Sequence, residues 1–140
     1  MPFVPDASAV LAWHFQDEDS DRAEIFSRRS YSDRAVVPQH WPLEVANALI
    51  RGERRAGSAT EHVDRFIERL RALDLEVDVI GADEVYSIVL PLARAHRLSV
   101  YDAGYLELAI RRELPLATLD EALIRAAKAV GVALLVGDSP

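Results

Sequence analysis

Cysteine is absent from the 140 residues, which excludes disulfides and thiolate metal ligands and suits a reducing compartment, the cytoplasm by default. Lysine is nearly absent as well: Lys128 is the only one, so arginine carries almost the whole basic side. Arginine suits bidentate phosphate contacts, although codon bias in a GC-rich genome accounts for the same imbalance and for the abundant alanine. No stretch approaches the roughly 20 uncharged apolar residues of a membrane span. The first acid arrives at position 6 with no basic stretch or apolar core before it, so no signal peptide is expected. Repeats and low-complexity tracts are missing too, and a single domain over residues 1–140 is the expectation. There is no basic surplus either. A net charge of −7 and a pI of about 5.0 have the wrong sign for clamping duplex DNA through its phosphates. Any nucleic-acid contact would be small and local, and a strongly basic protein partner would suit the acidic remainder.

What is present is an alternation of short apolar runs with helix-periodic segments. Phe3-Val4-Pro5 reads as a strand ending in Asp6, with Ser8 as the cap of a helix over Ala9 to Phe15. Asp17 to Asp21 reads as an acidic loop and Arg22 to Arg29 as a short helix. Ala35-Val36-Val37 is a second strand closed by Pro38. A helix then begins near Pro42 with Leu43, Ala46, Leu49 and Ile50 on its apolar stripe. Gly52 to Ser58 reads as a hinge before a helix over Thr60 to Leu73. Leu75 to Ile80 is an edge-like strand. Ala82 to His96 is amphipathic, with Pro91 kinking or splitting it. Leu98-Ser99-Val100, a short strand or only a turn, leads to Asp102 and a helix through Arg112. Leu114 to Leu119 is the fourth strand, Asp120 opens a further helix, and Val132 to Val136 is the fifth strand. Strands alternating with helices predict an α/β fold with a parallel sheet.

Four carboxylates, Asp6, Glu44, Asp102 and Asp120, fall at the seams between apolar runs and helices. Each alone reads as a helix cap or a favourable charge in a first turn. Together they read differently, because a parallel sheet gathers such seams at the carboxyl ends of its strands. Crowded carboxylates repel, and a hard divalent cation relieves them. Oxygen ligands without imidazole or thiolate suit Mg²⁺ or Mn²⁺, ions that activate water and neutralise charge at phosphorus. Asn47 is one turn beyond Glu44, and this polar pair faces either solvent or the site.

The same residues resemble the PIN-domain ribonucleases and, within them, the VapC-type toxins of bacterial toxin–antitoxin pairs. Val4-Pro5-Asp6-Ala7-Ser8 is similar to the opening strand and first acid of that family, and Leu43-Glu44-Val45-Ala46-Asn47-Ala48-Leu49 to its second-acid helix. Ser99-Val100-Tyr101-Asp102-Ala103-Gly104-Tyr105-Leu106 resembles the third-acid segment. Ala117-Thr118-Leu119-Asp120, followed by Ala126-Ala127 and Gly131, resembles the fourth. The resemblance implies a three-layer α/β/α fold with a five-stranded parallel sheet, Mg²⁺ or Mn²⁺ dependence and cleavage of single-stranded RNA. It also implies homodimers and inhibition by a small antitoxin protein. By the same resemblance Asp6 and Asp102 are the principal metal ligands with Glu44 beside them. Asp120 ligates a second metal or holds a water on the first, and Ser8, Asn47 and Thr118 are hydrogen-bonding groups behind the ligands.

The remaining candidates have ordinary readings. His14, His40, His62 and His96 form no pair at metal spacing; His40, in the loop before the Glu44 helix, is a weak candidate for touching RNA. Trp13 and Trp41 read as packing anchors, and Tyr101 with Tyr105 as a shared core or dimer face. Arg51, Arg54 and Arg55 cluster after the Glu44 helix, and Arg94, Arg97, Arg111 and Arg112 form a second basic group. Either group is a solvated face or a guide for RNA phosphates toward the carboxylates. Two rival enzymes fit less well. An aspartyl-phosphate phosphohydrolase expects a second aspartate where Ser8 stands, and a receiver domain expects a lysine at a late strand end, whereas Lys128 lies within a helix. A non-catalytic binding module, docking a partner around residues 42 to 73, is the alternative of another class.

Overall fold

The structure, a computed structural model, describes residues 1–15, 28–29, 32–56 and 60–135, without the side chains of 13–15, 55 and 56. The acidic loop Asp17 to Asp21, most of the helix expected over Arg22 to Arg29, and the side chains of Trp13, His14 and Arg55 lie outside the described residues. In chain order the elements are β1 (Val4–Pro5), α1 (Ala7–Phe15), β2 (Ala35–Pro38), α2 (Trp41–Ala56), α3 (Thr60–Arg71) and β3 (Leu75–Asp78). They continue with α4 (Ala82–Glu84), a π-helical turn (Val85–Val89), α5 (Leu90–His96), α6 (Val100–Arg112), β4 (Leu116–Ala117) and α7 (Glu121–Val130).

Among the described residues all strand pairing is parallel, as the alternation predicts, and regular strand structure is confined to short ladders. Two two-stranded ladders, β1 with β4 and β2 with β3, are joined by a single bridge from Phe3 to Ala35, and the fifth segment is reduced to a bridge between Leu116 and Leu134. Where β1 meets β2, proline is the physical reason: Pro5 and Pro38 have no N–H to donate, so the pairing there stops after Phe3 and Ala35. Val4 N–H instead donates to Pro115 O at 2.9 Å, and Asp6 N–H to Ala117 O at 3.0 Å. From β3 through β2 to β1 the chain steps toward one side, and β4 lies on the other side of β1. The order therefore reverses between β1 and β4, the kind of switch point whose carboxyl-end crevice receives ligands.

The core is built from Phe3, Val4, Val10, Val36, Val37, Trp41, Phe66 and Leu116, with α6 threaded through it: Ala103, Tyr105, Leu106, Leu108 and Ala109 are all buried. On α2 the buried edge is Trp41, Val45 and Leu49. Leu43, expected on the apolar stripe, is 75 % exposed and Ile50 is 42 % exposed. The expected hinge is helical as far as it is described: α2 runs through Gly52 to Ala56, and positions 57–59 lie outside the described residues. Around Pro91 the helix neither kinks apart nor stays α-helical. It widens to the π turn Val85–Val89, with Leu90 N–H donating to Val85 O, and so absorbs the missing proline donor. Leu98 and Ser99 link the two helices without a strand, and Val100 already opens α6. Arg97 takes a left-handed conformation (φ 54°) to end α5, and extended Ser99 caps α6.

Candidate active site

Asp6 leaves β1 at the switch point and is the most buried of the four acids, at 3 % exposure. Its Oδ1 accepts from Ser8 Oγ at 2.6 Å and from Ala9 N–H at 3.0 Å, and its Oδ2 accepts from Thr118 Oγ1. Asp6 therefore caps α1 itself. Ser8, expected to be that cap, donates to the carboxylate and accepts Leu119 N–H at 3.0 Å, which ties α1 to the exit of β4. Burial pushes the Asp6 carboxyl up to about 6; the three donors pull against that shift, and the Asp102 charge adds to it.

Thr118 stands just beyond β4 and is itself buried. Besides serving Asp6 it accepts Asp120 N–H at 3.0 Å, so one hydroxyl links the first and fourth acids. Asp120 is the N-cap of α7, its Oδ2 accepting Leu123 N–H at 3.0 Å. The ordinary reading of Asp120 is thus realised, with Oδ1 outside that cap bond.

Asp102 differs. The cap of α6 is Ser99, whose Oγ accepts Asp102 N–H at 3.1 Å, so the Asp102 carboxylate is not the cap that its position suggests. It is half-buried, and its carboxyl is raised above the usual range, first by burial and then by the charges of Asp120 and Glu44; Ser99 and His40 work the other way. Asp102 is therefore the electrostatic centre of the group, since it feels Asp6, Glu44 and Asp120.

Glu44 lies in the first turn of α2 and accepts Tyr105 O–H at 2.7 Å on Oε1. Burial and this hydrogen bond raise the Tyr105 hydroxyl well above the ordinary phenol range, so it remains a neutral donor. His40 Nε2 is 3.3 Å from the same oxygen. Asn47 is exposed, as are Arg51 and Arg54 farther along α2. Of the second basic group, Arg111 and Arg112 are held by Asp78, Glu107 and Glu76, which makes that pair a structural clasp.

Among the described residues no three His, Asp or Glu side chains draw together into a ready-made metal cluster. Asp6, Glu44 and Asp120 are each anchored by their own donors, and charge coupling among the acids runs through Asp102. The donor set still fits a hard cation. It is all oxygen, it includes a buried carboxylate whose ionisation burial opposes, and its charges repel. Tyr105 and Ser99 escaped the sequence reading as site residues. Tyr105 lies three positions after Asp102, one helical turn, which is the only signal that could have found it.

A family model described as the PIN domain matches residues 3–129. Ribonuclease VapC3 of Pyrobaculum aerophilum is 32 % identical over 123 residues, covering 88 % of this chain and 92 % of the relative. Ribonuclease VapC3 of Mycobacterium tuberculosis is 33 % identical over 123 residues, covering 88 % and 85 %. The crystal structure of PAE2754 from Pyrobaculum aerophilum superposes with a TM-score of 0.66 over 96 % of this chain and 92 % of that one, at 23 % identity, a likeness of fold. The chain belongs to the PIN-domain family, among its VapC-type ribonucleases.

Proposed function

We propose that the chain, as one domain over residues 1–140, is a metal-dependent endoribonuclease that hydrolyses phosphodiester bonds of single-stranded RNA and acts as the toxin of a toxin–antitoxin pair. The observation that carries this reading is the setting of Asp6: a buried carboxylate at the switch point, gripped on both oxygens by donors and coupled in charge to Asp102. A carboxylate so oriented is built to meet a cation. Asp6, Asp102, Glu44 and Asp120 would hold Mg²⁺ or Mn²⁺, which supplies charge neutralisation at the phosphate and a lowered pKa for the attacking water.

The chain's own contribution is orientation. Ser8, Thr118 and the Ala9 N–H fix Asp6, Tyr105 fixes Glu44, and the α7 cap fixes Asp120. The two hydroxyls nearest the acids are already committed: Ser8 Oγ and Thr118 Oγ1 each donate to Asp6 and each accept a backbone N–H. Both hydroxyls thereby hold the Asp6 carboxylate in place, and the hydrolysis proposed here uses water as the nucleophile. The names of the relatives support RNA as the substrate. Exposed apolar residues on α2 (Leu43, Ile50) and on the π turn (Tyr86, Ile88) support protein partners, a second copy and a small antitoxin.

The test is cleavage of single-stranded RNA by purified protein with Mg²⁺ or Mn²⁺. Cutting that is lost with EDTA and in Asp6→Asn is the expected result. Cutting that survives both would refute the carboxylate–metal assignment.

A further inference from the structure

His40 is joined to both of the helices that carry Glu44 and Asp102. It sits in the turn ahead of α2, one helical turn before Glu44, and its Nε2 reaches across to Tyr101 O at the start of α6, 2.9 Å away. The same nitrogen lies 3.3 Å from Glu44 Oε1. Both neighbours are acceptors only, so Nε2 carries a proton whatever the charge of the ring. The imidazole is wedged between two tyrosines, edge-on to Tyr105 with centroids 5.1 Å apart and tilted against Tyr101 at 5.6 Å. Beneath it the helix has no side chain. A Cβ placed on Gly104 would meet His40 Cε1 at 2.8 Å, closer than real carbon contacts allow. Tyr105 donates to the same Glu44 Oε1, so the phenol by hydrogen bond and the imidazole by close approach converge on one carboxylate oxygen, while no described hydrogen bond reaches Oε2.

We infer that His40 is a positioning residue: seated in the gap left by Gly104, it braces the Glu44 carboxylate against the Asp102 turn and thereby sets the spacing of the cation ligands. The glycine of the Asp102 segment is then explained by the histidine of the α2 turn, 64 positions away in sequence. This inference rests on the metal-nuclease reading. It assigns His40 to the protein side of the site, away from the RNA contact that its loop position suggested. Groups that orient metal ligands in this way are worth about 10- to 100-fold in metal affinity or activity.

The test is calorimetric titration of metal-free protein with Mn²⁺, read apart from RNA cleavage. His40→Ala and Gly104→Ala should each weaken Mn²⁺ binding by about tenfold. His40→Ala/Gly104→Ala should be no weaker than His40→Ala alone, because the added methyl acts only by displacing the ring. His40→Gln, which keeps an N–H donor, should recover much of the loss. Wild-type affinity in either single variant would overturn the inference while leaving the nuclease reading intact, and so would additive losses in the double variant. If the wild-type protein takes up no Mn²⁺ that Asp6→Asn abolishes, the nuclease reading fails and this inference falls with it.

Discussion

Asp6 is ionised near neutral pH against the preference of its surroundings. Its carboxyl is raised from 3.8 to about 6 by burial, and a shift of about two units corresponds to about 3 kcal/mol. The folded-state value lies above the unfolded one, so the favourable contribution is complete below about pH 4 and is lost as pH rises through about 6. Asp6→Asn should therefore stabilise the metal-free protein at about pH 7.5, by about 2 kcal/mol once weaker hydrogen bonds are counted, and the gain should vanish below about pH 4. Urea unfolding of both proteins across this range checks it, and a variant less stable at every pH would contradict it. This conflict between stability and charge is what a functional carboxylate shows, whereas a cap on the surface would not. Asp6 and Asp120 were legible as site candidates because each ends an apolar run. Which donor served which acid was not. Ser8 and Asp6 exchange the roles that local spacing assigns, since Ser8 is engaged by Leu119 N–H from 111 residues away.

At the scale of elements, helical segments were read well because their periodicity is local: Val63 and Phe66 are the buried residues of α3, as their spacing predicts. The α2 stripe was misassigned by about one residue around the helix, since Trp41 and Val45, rather than Leu43, meet the core. Strands were harder. Their pairing depends on backbone donors that Pro5 and Pro38 lack, and their length could not be judged from apolar runs alone. The clasp between β3 and α6 was also hidden, because its partners are far apart in sequence. Arg111 bridges Glu107 (Nε to Oε1, 2.6 Å) and Asp78 (Nη2 to Oδ1, 2.6 Å). Glu107 is 5 % exposed, so its carboxylate depends on that guanidinium. Arg111→Gln should cost about 2 kcal/mol in urea unfolding. Arg112→Gln, which breaks only partly solvated pairs with Glu76 and Asp78, should cost less than about 1 kcal/mol. Equal losses would show that Glu107 does not need its partner.

Across the whole molecule the charge is −7, and the acids of the site add a local negative field where RNA must approach. The proposed nuclease would therefore need cations twice, at the carboxylates and along the path of the phosphates. With Arg111 and Arg112 committed to the clasp, the exposed Arg51 and Arg54 on α2, the helix of Glu44, are the better placed guides. Reversing both to glutamate should weaken RNA binding several-fold at low salt and less as salt rises; an unchanged affinity at low salt would remove them from the path. The expectation that the acids group rests on a parallel sheet collecting its carboxyl ends, and the order of β1 and β4 provides a switch point of that kind. The measurement that bears most directly on the account is anomalous X-ray scattering from crystals soaked in Mn²⁺. A manganese peak among the carboxylates of Asp6, Glu44, Asp102 and Asp120, absent in Asp6→Asn, is the predicted result. No peak there, in protein that still cleaves RNA, would contradict the central claim that these four acids form the metal site.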